Sequence, residues 1–72
     1  MRTYQASMWK EGDLFVAQCL DVDIVSQGSS SAEALANLRE AVELFLETAS
    51  PAEIRERLHD GVQVSPFEVA VG

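Results

Sequence analysis

Asp21 and Asp23 come nearest to a chemical site in this chain. Two carboxylates one residue apart on an extended segment project to the same side, and with a third acid from a helix they would suit Mg²⁺. A solvated loop is the plainer reading, and a contact to a partner stands between the two. The other reactive side chains number two, Cys19 and His59. A nucleophilic triad needs a nucleophile and a base brought together, whereas His59 falls near the end of a short helix, where the dipole favours a cation. Zinc wants several Cys or His ligands, more than this chain holds. Cys19 lies in an apolar run and reads as a buried small hydrophobe. No general acid, oxyanion donor or phosphate-cradling loop accompanies the acids. The expectation is a protein that is not an enzyme and takes neither metal nor cofactor.

Binding is the chemistry that the pattern favours. Twelve acidic residues face five basic ones, for a net charge of −7 and a pI near 4.3. Such a balance repels phosphate backbones, and Arg39, Arg55 and Arg57 are scattered among glutamates, so direct nucleic-acid binding is not expected and a cationic protein partner is. Glu33, Glu40 and Glu47 recur every seven residues with Glu43 beside them. On a helix they form a line that is either a solvated face or a surface steering a basic protein. Leu44 sits inside that line, as an apolar anchor or as packing under a later helix through Ile54 or Leu58. Trp9 either packs on the second face of a sheet or serves as a binding hot spot. The residues expected to meet a partner are therefore Trp9, Asp21, Asp23, Glu40, Glu43, Leu44 and Glu47.

These residues need elements to position them. Residues 2–10 alternate, with Tyr4, Ala6 and Met8 on one side and Gln5, Ser7 and Trp9 on the other, as a strand does. Glu11-Gly12 reads as a tight turn and residues 14–20 as the second strand of a hairpin, with Phe15, Ala17 and Cys19 on one face and Leu14 and Val16 on the other. Residues 23–27 suit a third strand, closed by Gly28 and three serines. Ser30-Ser31-Ala32-Glu33 is a capping box, with the Glu33 carboxylate reaching back to the Ser30 amide. The helix it opens places Leu35, Leu38, Val42, Phe45, Leu46 and Ala49 on one side, flanked by Ala34 and Ala41, with Arg39 able to meet Glu43. Ser50-Pro51-Ala52-Glu53 repeats the cap for a shorter helix running to about Asp60 and stopping at Gly61. Residues 62–64 and 67–71 alternate as strands again, with Pro66 favouring an edge or a break.

The expected architecture is one α+β domain over residues 1–72. It has two layers in the order β-β-β-α-(short α)-β, with a small mixed or antiparallel sheet packed on one long helix. A chain of this size has a marginal core of its own, and without disulfides or a metal, oligomerisation is the remaining support. Its apolar terminal strand would leave an open edge that invites a second copy, so Val62, Val64, Phe67, Val69 and Val71 are expected at a homo-oligomer interface. The lone cysteine, and the lack of a signal-peptide pattern or a membrane-length apolar run, lead one to expect a cytoplasmic protein without membrane association.

One ordered set of residues points further. Phe15-Val16-Ala17-Gln18-Cys19, then Ser26-Gln27-Gly28, then Glu33-Ala34-Leu35-Ala36-Asn37-Leu38-Arg39-Glu40-Ala41 resembles the HicB-like antitoxin family. The match covers residues 4–47 or so, in a short form without a DNA-binding extension. The resemblance implies a two-layer β-β-β-α-β domain that associates through its sheet. It also implies a partner, a small basic toxin of the HicA-like type that cleaves messenger RNA and is neutralised by being covered. Two functions stand as expectations. One is an antitoxin of a toxin-antitoxin system, which oligomerises and sequesters such a ribonuclease. The other is an orphan oligomeric adaptor or structural domain of the same kind with no toxin.

Overall fold

The computed structural model describes residues 2–71. Three strands, β1 (Ala6–Glu11), β2 (Leu14–Cys19) and β3 (Ile24–Gly28), precede a long helix, α1 (Ser31–Thr48), and a short one, α2 (Pro51–Arg57). The sheet is antiparallel throughout, with β2 in the middle. This is the α+β class expected, a small sheet on one long helix. Glu11 pairs with Leu14, so the β1–β2 turn is the two residues Gly12 and Asp13. Gly12 has φ +60° and Asp13 does not share a positive φ, the pattern of a type II′ hairpin, which is why glycine leads the turn.

Parity along the strands decides what is buried. Ala17 and Cys19 of β2 face α1 and meet Ala34, Leu38 and Val42, while Val22 beyond β2 completes the buried cluster. Tyr4, Phe15, Ile24, Phe45, Leu46 and Leu58 pack around it. The helix can come this close because the facing positions are small. A Cβ added to Gly28 at the end of β3 would lie 2.7 Å from the Ala34 amide nitrogen.

Both helices begin as the sequence implies. The Ser30 Oγ accepts from the Glu33 amide at 3.1 Å, and Ser50 does the same for Glu53 at 3.2 Å. The return half of the first box differs from expectation. The Glu33 carboxylate reaches Ser29, accepting from its amide and its hydroxyl at 3.1 Å each, and so ties the end of the β3–α1 loop rather than the cap residue. Helix α2 is held by the two residues beyond its last turn. Leu58 forms an isolated bridge with Val22, and the His59 amide donates to the Asp21 carbonyl at 2.7 Å.

Three elements depart from the sequence reading, the first being α2, which ends at Arg57 rather than near Asp60 because Leu58 leaves the helix to bridge Val22. Ladder pairing in the first strand begins at Ala6 rather than Arg2, because the Gln5 amide turns to the Asp21 carboxylate at 2.7 Å. Residues 62–71 form no strand. Val62 is half-buried, but Val64, Phe67, Val69 and Val71 are exposed, Phe67 to 85%. An alternating apolar segment becomes a strand only when an edge takes its amides and a surface takes its side chains. Here no described strand pairs with it, and Pro66 has no amide to offer. The radius of gyration, 14.1 Å, exceeds the roughly 11 Å of a compact chain this long.

Candidate partner-binding surfaces

The residues expected to bind a partner fall on separate surfaces. Trp9 stands opposite Val16 on the face of the sheet away from α1. Leu14 shares that face by parity, and so does Val25, which pairs with Gln18. Trp9 is 40% exposed while Val16 beneath it is buried, so the tryptophan is half cover and half surface. The expectation that it packs on the second face and the expectation that it offers itself to a partner are both compatible with this geometry.

The acidic line lies on the other side of the molecule, on the face of α1 turned from the sheet. Glu33 is engaged at the cap, and Glu43 accepts from Arg39 Nε at 2.9 Å. Glu40 and Glu47 are exposed and make no ion pair among the described residues. Leu44 is 60% exposed between them. Leu58, one of the two residues expected to cover it, turns to the core cluster instead. Glu40, Glu43, Leu44 and Glu47 thus form one patch, acidic with an apolar centre, and Trp9 is not part of it.

The acid pair separates. Asp21 is 8% exposed, its carboxylate held by the Gln5 amide and its carbonyl by the His59 amide. It is turned inward, and these two hydrogen bonds give it a role in the fold. Asp23 remains at the surface, its carboxylate 3.3 Å from His59 Nε2 and its carbonyl accepting from Arg57 at 2.6 Å. Extended backbone would have put both side chains on one side, but Val22 bridges to Leu58 between them and the chain bends there. Among the described residues no group of three His, Cys, Asp or Glu stands together as a metal site would need.

The cations are mostly occupied. Arg2 pairs with Asp60 at 3.5 Å and stacks on Tyr4, Lys10 lies over Phe15, and Arg57 covers the Phe45 ring at 4.8 Å. Among the described residues they gather into no basic patch, and on the acidic face of α1 only Glu43 has a cationic partner, Arg39.

A groove that the sequence reading missed runs between the β1 side of the sheet and α1. Its volume is about 710 Å³ and its walls include Tyr4, Ala6, Cys19, Leu38, Val42 and Leu46. Helix α1 lies over β3 and β2 and touches β1 little, so it leaves that flank open. Leu35, on the stripe expected in the core, is 43% exposed for the same reason. The signal was present in the sequence as an excess of apolar positions on the first strand and first helical turns, but nothing in the pattern said which strand the helix would cover. No helix among the described residues is long and apolar enough to cross a membrane. No protein-family model, curated protein or solved structure matches the chain.

Proposed function

We propose that this chain is an antitoxin-like binding module that oligomerises and neutralises a small basic ribonuclease by covering it. The observation that carries the reading is the exposed patch on α1, where Glu40 and Glu47 flank Leu44. Unpaired carboxylates steer a cationic protein and set the register of docking, while an apolar side chain at the centre supplies surface to bury. The residues resembling HicB-like antitoxins include the helix that carries this patch. Asp23, beside His59 and Arg57, lies apart from it and adds a second acidic point, and Trp9 offers a separate surface on the sheet.

The test is co-expression with the protein encoded beside this chain, which the reading expects to be small and basic. A neighbour that arrests growth alone, becomes harmless with this chain, and co-purifies with it in a complex that salt weakens would support the reading. A neighbour that is harmless alone and elutes separately would refute it. The second reading is an orphan oligomeric module of the same fold, favoured by the uncovered apolar segment at residues 62–71, which needs no toxin to have a purpose. Such a module would recover only itself from native extract.

A further inference from the structure

We propose that the groove between β1 and α1 receives residues 67–71 of a second copy of this chain, which enter as a fourth strand on the β1 edge while the first copy's own segment fills the partner's groove. The proposal deepens the oligomeric part of the reading above and does not depend on any toxin.

Groove and segment have matching deficits. Strand β1 is an edge of the sheet, so one side of its backbone has no ladder partner. Its core-facing side chains are also uncovered: Ala6 and Met8 share the face of Cys19 and Ala17, yet Ala6 is exposed and Met8 is 46% exposed. Leu35 across the groove is open as well. The segment at residues 67–71 carries Phe67, Val69 and Val71 on one side of an extended chain, with Glu68 and Ala70 on the other. At ~3.3 Å per residue it spans about 17 Å against about 20 Å for β1. Pro66 lies just before this run, so its missing amide costs the new ladder nothing. Polarity agrees, since the groove is lined mainly by apolar side chains, with its arginines already paired to Asp60 and Glu43, and Glu68 is the one charged residue from position 62 onward.

The donor is a second copy because of where the segment is rooted. Asp60 lies beside the groove, 3.5 Å from Arg2 on its wall, and Gly61 then turns with φ +66°. From there the segment leaves the body, with its apolar side chains in solvent and the adjacent groove empty of it. The molecule is accordingly 46 Å long and 20 Å thin. Two copies related by a two-fold axis would exchange these segments reciprocally, each closing the other's open edge, and Asp60-Gly61 would be the hinge. Strand addition of this kind takes affinity from main-chain hydrogen bonds and register from alternate side chains.

The full-length chain tests this by mixing ¹³C-labelled and unlabelled copies and recording isotope-filtered NOEs, alongside sedimentation equilibrium. The expected result is a dimer with contacts from Phe67 and Val69 of one copy to Leu38 and Val42 of the other. The double substitution Phe67→Asp, Val69→Asp should weaken dimerisation roughly thirtyfold or more, with the helical circular dichroism of the body retained. Leu44→Asp, outside the groove, should leave the dimer intact. Contacts confined within one chain, a monomer with a free segment, or a dimer indifferent to the double substitution would each overturn the proposal. Because no neighbouring protein takes part, these outcomes leave the toxin reading to its own test.

Discussion

The Asp21 carboxylate shows how a residue whose type suggests chemistry can belong to the fold. It is buried, it accepts from the Gln5 amide, and the neighbouring carbonyl holds the His59 amide, so one residue ties the start of the first strand to the end of α2. Asp21→Ala removes the acceptor from a half-buried amide and should cost about 1–3 kcal/mol in urea denaturation, whereas Asp21→Asn, which keeps an acceptor oxygen, should recover most of it. Equal losses for both would mean that charge rather than hydrogen bonding matters there. Gly28 is a second residue set by packing. A methyl 2.7 Å from the Ala34 nitrogen must push β3 and α1 apart, and Gly28→Ala should cost about 1–3 kcal/mol by the same measurement. An unchanged midpoint would show that the contact yields freely.

Among the elements, α2 depends most on its ends. It is seven residues long with no buried residue of its own, too short to persist on propensity, so the Ser50 cap and the Leu58–Val22 bridge must hold it. Ser50→Ala should lower the local opening energy by about 1 kcal/mol and speed exchange of the His59 amide with little change at Leu38 in α1. Parallel changes at both sites would show that α2 unfolds only with the whole domain. Elements with local grammar were the ones legible in sequence. The hairpin, the third strand, both Ser caps and the Arg39–Glu43 pair rest on neighbours within a few residues, and all are present. What rests on long-range geometry was not legible. The inward turn of Asp21 depends on Gln5, 16 positions away. The exposure of Leu35 depends on which strands α1 covers. The state of residues 62–71 depends on whether an edge receives them. Of the expected contact residues, only Glu40, Glu43, Leu44 and Glu47 share a patch, because they alone belong to one helix face.

At the scale of the whole molecule, charge and apolar surface are segregated. The acidic face of α1 points one way, the Trp9 face of the sheet points the other, and the open β1 edge lies between them. If the acidic face steers a cationic partner, the effect acts before contact and should appear in the association rate, where screening removes it. Glu40→Lys with Glu47→Lys changes the net charge from −7 to −3 by replacing two negative charges with two positive ones. At low ionic strength the double substitution should slow association with the proposed basic partner by about tenfold or more, and the gap should close above ~0.5 M salt. Leu44→Ala, which leaves the field untouched, should instead raise the dissociation rate at every salt concentration, as removal of an interface anchor does. Stopped-flow measurements across a salt series separate the two. A charge reversal that leaves the association rate unchanged would assign the acidic line to solvation alone and move the search for a contact surface to Trp9, Leu14 and Val25 on the opposite face.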